Sequence, residues 1–283
     1  MKHLNFLAYC RLMRLDKPIG FYLLWAPTAW ALWLACATPP PIMTVLLFLI
    51  GTLIMRSAGC VINDITDRNI DGLVERTKLR PLVTQEISFK QATGLLILLL
   101  SLALVILLLL PKDCLQFALY ALILSMLYPL AKRFISCPQL ILSLSFSMGM
   151  PMAFAARNAS IWSLTLSLLM LINILWVLAY DTEYAMVDKP DDLIAGVKSS
   201  AILFGRYDKF ITIILLSFMH FLWLFIASMI QANKMFYGFW LAAIGCIIYQ
   251  YHILYTCKSD TYLAAFKSNG VYGLWMWIAL IFA

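Results

Sequence analysis

The sequence is short of charged residues. They make up 12% of its 283 residues, against about a quarter of an average soluble protein. Hydrophobic residues instead make up 63%. A water-soluble fold cannot bury that much apolar surface, and a disordered chain does not carry it. The composition therefore excludes both and predicts a protein that crosses a membrane several times.

The sequence also lacks the cysteine and histidine patterns of metal sites and disulfide scaffolds. Its seven cysteines are scattered with no CxxC pair, and it has only three histidines. We expect the cysteines to be free and to pack as small apolar side chains. His220 stands in the middle of an apolar run, so we predict a packed core residue there rather than a metal ligand.

Apolar runs near the length of a membrane-spanning helix follow one another along the chain. They cover 19–37, 42–62, 92–110, 114–131, 138–156, 161–180, 210–230, 235–256 and 269–283. They are continuous rather than alternating, and backbone groups in lipid must bond internally, so helices are predicted. We expect an all-α membrane protein with a single domain over residues 1–283, a bundle of about nine transmembrane helices. The last run is short, which leaves eight as an alternative.

The positive charge is distributed unevenly between the two sets of predicted loops. The net charge is +7, and 17 of the 21 Lys and Arg residues lie in one set of loops against three in the other. Positive loops stay in the cytoplasm, so the N-terminus is predicted to be cytoplasmic. The basic charge is thereby explained by topology, and no nucleic-acid partner is expected.

Acidic residues are scarce, and eight of the 14 fall in two clusters at the cytoplasmic ends of predicted spans. In the first cluster Asn63, Asp67 and Asp71 are spaced by four, which stacks them on one helical face with Asp64 at its edge. The second cluster repeats this spacing, with Asp181, Asp188, Asp191 and Asp192 as its aspartates.

Like charges at these spacings repel, so a cation must compensate them. Mg²⁺ prefers hard oxygen ligands and is often shared with substrate phosphates. Two acidic faces on separate helices are therefore predicted to hold metal ions and clamp a diphosphate. The alternative is that these are ordinary solvated loop acids.

Basic residues near the clusters are candidates for holding a diphosphate, whose charge grows as its bond to carbon breaks. They include Arg76, Lys132, Arg133 and Lys198, which otherwise serve only to anchor the topology. Arg56 differs, because it lies inside the second predicted span, two turns before Asn63. A buried charge there is costly and usually functional, so we predict that Arg56 captures an anionic substrate group such as a carboxylate.

These motifs resemble those of the UbiA superfamily of intramembrane prenyltransferases. The resemblance is carried by Asn63-Asp64-x-x-Asp67-x-x-x-Asp71 with Arg76 and Arg80-Pro81, by Tyr128-x-x-x-Lys132, and by Asp181-x-x-Tyr184-Ala185-x-x-Asp188-x-x-Asp191-Asp192. It covers most of residues 11–209 and is strongest to the bacterial members that prenylate 4-hydroxybenzoate.

The resemblance implies a helix bundle that opens to the cytoplasm and to lipid, in the bacterial inner membrane. It implies Mg²⁺-dependent transfer of a polyprenyl group from polyprenyl diphosphate to carbon 3 of 4-hydroxybenzoate, in ubiquinone biosynthesis. Asp67, Asp71, Asp188 and Asp192 are then expected to bind the metal and diphosphate, supported by Asp64, Asp181 and Asp191. The diphosphate would be held by Tyr128, Lys132, Arg133, Lys198 and Arg76, with Arg133 placed among the catalytic residues. Arg56 and Asn63 would lie near the aromatic acid.

Two other functions are compatible with these residues. The acceptor could be haem, a naphthoate or a chlorophyll precursor within the same superfamily. A cation-coupled secondary transporter or a Mg²⁺ channel also uses intramembrane acids, but transporters place them near the bilayer midplane. The acids of this chain stand instead at the predicted ends of helices, which favours the prenyltransferase.

Overall fold

The fold is helical throughout the residues that the computed structural model describes, which are 6–69, 71–73, 75, 77–258 and 261–283. The first seven helices are α1 (Phe6–Leu12), α2 (Ile19–Leu34), α3 (Ile42–Asp67), α4 (Phe89–Leu108), α5 (Cys114–Phe134), α6 (Gln139–Ser147) and α7 (Gly149–Ala156). The other five are α8 (Leu164–Ala195), α9 (Ser200–Phe204), α10 (Asp208–Met229), α11 (Lys234–Thr256) and α12 (Tyr262–Ile281). The predicted all-α class is confirmed.

Seven helical segments of the described chain are long and apolar enough to cross a membrane. They are Ile42–Asp67, Phe89–Leu108, Cys114–Phe134, Gln139–Ala156, Leu164–Ile194, Ser200–Met229 and Lys234–Thr256. α2 is apolar but has only 16 residues, fewer than the roughly 20 that a bilayer needs. The molecule is thus a membrane protein with several spans, and the total of nine stays a prediction.

α8 is longer than the sequence indicated. The predicted span ends at residue 180, but the helix continues to Ala195 and carries the whole second acidic cluster. It ends at Gly196, which adopts a left-handed conformation (φ 68°) and donates its backbone N–H to the Asp192 carbonyl. Glycine pays no Cβ penalty for that conformation, so it fixes the end of the helix.

α12 begins at Tyr262, seven residues before the predicted run, because its polar residues have partners inside the bundle. The Asn269 Nδ2 donates to Glu183 Oε2 at 2.8 Å. The Gln250 Nε2 donates to Ser268 Oγ, also at 2.8 Å. A polar group buried in lipid is costly only while it lacks such a bond, so these residues extend the helix rather than end it.

The core is an aromatic cluster that fixes α2 against α8, α10 and α12. Trp30 of α2 is fully buried, with its ring centroid 5.0 Å from that of Trp176 and 5.1 Å from that of Trp223. Its Nε1 donates to the Gly273 carbonyl at 3.1 Å. The core prediction for His220 is confirmed, since it is 2% exposed and stacks on Trp240. All seven cysteines are free, as expected.

Candidate active site

The first acidic cluster lies where α3 ends and the chain turns toward α4. Asp64 is fully buried and is enclosed by two guanidinium groups. Arg14 donates to both Asp64 oxygens, at 2.8 and 3.0 Å, and Arg80 Nη1 lies 3.0 Å from Oδ1. Asp64 therefore joins the segment before α2 to the segment after α3.

Asp71, in a short 3-10 turn after α3, shares Arg80 with Asp64. The Arg80 Nη1 lies 2.5 Å from Asp71 Oδ2. Burial raises the pKa of the Asp71 carboxyl to about 6, although Arg80 opposes the rise; the charges of Asp64 and Asp67 raise the pKa further. A further cation at this place would favour the ionised carboxylate.

The end of α5 brings basic side chains onto the α3 face. The Lys132 Nζ lies 3.7 Å from Asp67 Oδ2, and it donates to Asn63 Oδ1 at 3.4 Å. It also lies 4.9 Å from the centre of the Tyr128 ring. The Arg133 Nη2 is 4.0 Å from Asp67 Oδ1. The ion pairs of Asp67 are long, which leaves this carboxylate open to a stronger cationic partner.

The second acidic cluster faces the same place from α8. Lys132, Arg56 and Asp188 lie within electrostatic reach of Asp181. Tyr128 of α5 lies within electrostatic reach of both Asp67 and Asp181. The acidic faces of α3 and α8 therefore converge around the end of α5, with Lys132 between them.

Two backbone bonds tie the loops to this arrangement. The Glu75 backbone N–H donates to Asp191 Oδ2 at 3.2 Å, which joins the first acidic segment to the second. The Lys198 backbone N–H donates to the Lys132 carbonyl at 2.9 Å, and its Nζ donates to the Phe134 carbonyl at 2.9 Å. Lys198 thus contacts the end of α5.

The other predicted residues lie further along α8 or outside the described chain. Asp188 is buried on α8, and Asp192 lies one turn further along the same helix, where its carbonyl caps the helix end. Arg76 lies outside the described residues. Arg14 was not predicted for the site, because nothing in the sequence connects it with an aspartate 50 residues further along the chain.

The carboxylates fit a metal shared with a substrate better than a metal caged by protein alone. Within the described chain, no three His, Cys, Asp or Glu side chains group closely enough to hold an ion. Mg²⁺ usually takes one or two carboxylates, keeps several waters and completes its shell with phosphate oxygens. Asp67 and Asp71, at and just after the end of α3, and Asp188 on α8 carry the kind of carboxylate that such a shared metal would need.

Arg56 lies beside the acidic faces and lines a cleft of about 110 Å³. The cleft is further lined by Met13, Arg14, Leu15, Lys17, Pro18, Phe21, Leu53 and Ser57. Arg56 makes no ion pair with any residue that the structure describes. An apolar cleft bordered by cations, one of which makes no ion pair within the described chain, suits an aromatic carboxylate.

The buried ion pairs of Asp64 with Arg14 and Arg80 lead to a stability prediction. Asp64→Ala should lower the free energy of unfolding by about 3 kcal/mol, the low end of the cost of breaking a buried ion pair, because Arg80 keeps Asp71 as a partner. Thermal unfolding in detergent measures the change. Asp113→Ala is the matched control, since that carboxylate is exposed and makes no capping hydrogen bond, although Asp113 directly precedes α5. An Asp64→Ala protein as stable as the control would show that Asp64 does not hold together the segment before α2 and the segment after α3.

Comparison with known sequences places the whole of this architecture in one family. Residues 24–281 match the UbiA prenyltransferase family. A 4-hydroxybenzoate octaprenyltransferase of Legionella pneumophila is 50% identical over 273 residues, or 96% of each chain. The octaprenyltransferase of the same name from Edwardsiella ictaluri is 43% identical over 279 residues, which cover 99% of this chain and 97% of the relative.

Solved structures share the fold at lower identity. A UbiA homologue from Aeropyrum pernix K1, solved in its apo form, superposes with a TM-score of 0.80 at 22% identity and covers 93% of this chain and 96% of its own. A UbiA homologue from Archaeoglobus fulgidus, bound to GPP and Mg²⁺, superposes with a TM-score of 0.69 at 18% identity and covers 97% and 99%.

Proposed function

This chain belongs to the UbiA prenyltransferase family, and we propose that it transfers a polyprenyl group from polyprenyl diphosphate to carbon 3 of 4-hydroxybenzoate. It is an aromatic prenyltransferase of ubiquinone biosynthesis, as its relatives' names and near full-length similarity indicate. The observation that carries the site is the meeting of two acidic helix faces around Lys132.

The donor diphosphate is proposed to bind where α3, α5 and α8 converge. Lys132, Arg133 and the Tyr128 hydroxyl would contact its oxygens, since these groups border the acidic faces. As the bond from oxygen to the allylic carbon breaks, negative charge builds on the leaving diphosphate. Preorganised cations stabilise that charge without having to reorganise, and we expect them to carry most of the catalysis.

Mg²⁺ is the proposed cofactor, in keeping with a structural neighbour solved with Mg²⁺ and GPP. Asp67, Asp71, Asp188 and Asp192 would hold it, with Asp64, Asp181 and Asp191 in support. When bound, the metal neutralises diphosphate charge. Arg80 forms ion pairs with both Asp64 and Asp71 and so reduces the repulsion between the two carboxylates.

The acceptor is proposed to lie in the cleft beside Arg56, with Asn63 two turns further along α3 toward the donor. The guanidinium would bind the carboxylate of 4-hydroxybenzoate, and Phe21 and Leu53 would contact the ring. Held in that way, the ring presents the carbon next to its hydroxyl to the allylic carbon. A carbon–carbon bond forms, the diphosphate leaves, and the ring then loses the proton of that carbon.

The direct test is a transfer assay on purified protein. Labelled 4-hydroxybenzoate and a polyprenyl diphosphate should give a lipid-soluble product substituted at carbon 3, identified by mass and NMR spectra. EDTA should stop the reaction and added Mg²⁺ should restore it. Product from a naphthoate or haem but not from 4-hydroxybenzoate would give the site another acceptor. Transport of a cation without any prenyl product would overturn the proposal.

We also propose that the N-terminus and the active site face the cytoplasm of the inner membrane, with nine spans. The support is the uneven distribution of Lys and Arg between the loops. Cysteine labelling tests it in a background without native cysteines. Leu79→Cys is the probe, because Leu79 is 71% exposed in the connection between α3 and α4.

An impermeant thiol reagent added to intact cells should miss the Leu79→Cys protein and label it only after the membrane is opened. Trp162→Cys is the control on the opposite side, since Trp162 is 89% exposed in the connection between α7 and α8. The Trp162→Cys protein should react with the reagent in intact cells. The reverse pattern would invert the orientation.

A further inference from the structure

Gly20, in the first turn of α2, lies directly against the functional group of Arg56. A Cβ atom built on Gly20 would stand 2.2 Å from Arg56 Nη2, 2.4 Å from Nε and 2.5 Å from Cζ. Real Cβ atoms do not approach other atoms to under 3.0 Å, so no residue larger than glycine fits while Arg56 keeps its place. The three nearest atoms all belong to the guanidinium, which makes the contact specific.

We propose that Gly20 is a positioning residue for the acceptor: its missing side chain leaves the space in which the Arg56 guanidinium lies. The inference rests on the proposed function, since it deepens the role given to Arg56. Gly20 itself touches no substrate. It acts through Arg56, by keeping the cation at the wall of the cleft that Phe21 and Leu53 also line.

The tight packing of α2 determines whether the helix or the Arg56 guanidinium moves when a methyl group is added at Gly20. α2 is held against α12, where a Cβ on Gly270 would lie 2.7 Å from Ile19 Cδ1 and one on Gly273 would lie 2.9 Å from Ala26 Cβ. The helix therefore cannot retreat without disturbing a second close contact. The end of a long arginine side chain moves at much lower cost, so the guanidinium is the group that shifts.

A shifted guanidinium no longer binds the carboxylate in its original place. We expect Gly20→Ala to raise the KM for 4-hydroxybenzoate about tenfold, the equivalent of 1.4 kcal/mol. The KM for polyprenyl diphosphate should change by less than about twofold, because Lys132 and Arg133, the proposed contacts of the donor, lie on α5 rather than on α2.

The experiment compares four purified full-length proteins in the transfer assay: Gly20→Ala, Arg56→Ala, the double variant and Gly59→Ala. Gly59 is the matched control, because it lies on α3 near Arg56 and a Cβ there meets nothing within 4 Å. Gly59→Ala should behave as the wild type. The double variant should have the acceptor KM of Arg56→Ala alone, since the group that Gly20 accommodates is gone.

The outcomes separate this inference from the acceptor assignment. An unchanged acceptor KM in Arg56→Ala would overturn the assignment of Arg56 and the role of Gly20 with it. A raised KM in Arg56→Ala with a normal KM in Gly20→Ala, or effects that multiply in the double variant, would overturn the inference alone. If Gly20→Ala folds poorly, the unfolding temperature is compared instead of KM. Adding Arg56→Ala to Gly20→Ala should then restore the unfolding temperature, and a double variant that stays as unstable as Gly20→Ala would contradict the inference.

Discussion

Asp67→Ala and Asp188→Ala are each expected to lower the rate of prenyl transfer by at least about 10²- to 10³-fold, the effect of removing one charge-stabilising group from a transition state. These two carboxylates face the proposed diphosphate site from different helices, Asp67 at the end of α3 and Asp188 on α8. Losing either one removes a proposed ligand of the metal from one of the two acidic faces.

The two variants should remain folded in the membrane. The contacts of Asp67 with Lys132 and Arg133 are 3.7 and 4.0 Å long and both basic side chains are partly exposed, so losing these weak ion pairs should leave the fold intact. Steady-state turnover at saturating Mg²⁺ is the measurement, and size-exclusion profiles in detergent check the fold. Asp113→Ala, at an exposed position at the opposite end of α5 from Lys132, should be fully active. Near-normal turnover in Asp67→Ala or Asp188→Ala would remove that residue from the site.

Arg56→Ala should raise the KM for 4-hydroxybenzoate by about ten- to a hundredfold and change the KM for polyprenyl diphosphate much less. The reason is the loss of a charge-assisted bond worth about 1.5–3 kcal/mol, at 1.4 kcal/mol for each factor of ten. Arg56→Lys should fall between the wild type and Arg56→Ala, since lysine keeps the charge but not the planar pair of donors.

A neutral acceptor distinguishes this role from a purely structural one. An ester of 4-hydroxybenzoate should be a poorer acceptor than the acid for the wild type, and that disadvantage should disappear in Arg56→Ala. A rise in the KM for polyprenyl diphosphate with no change for the acceptor would instead assign Arg56 to the donor site. The cleft shared by Arg56, Phe21 and Leu53 would then need another ligand.

The sequence predicts the helical class because apolar runs in a membrane have few alternatives. It fails at α8 and α12 for one physical reason. Both helices continue through polar residues, and hydropathy cannot show that Glu183 on α8 and Asn269 on α12 bond to each other. A polar residue with a partner behaves as part of the span, whereas the same residue without a partner would end it.

In the candidate site, too, the sequence predicts what depends on spacing along one helix but not the contacts between distant segments. Helical spacing was enough to stack Asn63, Asp67 and Asp71, and to suggest a matching face from Asp181 onward. The spacing could not show that Asp64 is enclosed by guanidinium groups, because one of them comes from Arg14, 50 residues earlier in the chain. Nor could it show that Gly20 makes room for Arg56, since that contact depends on how α2 crosses α3.

The central claim is that the acidic faces of α3 and α8 form one diphosphate site. It is tested most directly by the Mg²⁺-dependent binding of a non-cleavable prenyl thiodiphosphate, measured by calorimetry on the wild type, Asp67→Ala, Asp188→Ala and the double variant. For a single shared site we predict that each single variant loses the Mg²⁺-dependent part of the affinity and that the double variant binds no more weakly than either. Full Mg²⁺-dependent binding in one single variant would contradict a site built from both faces.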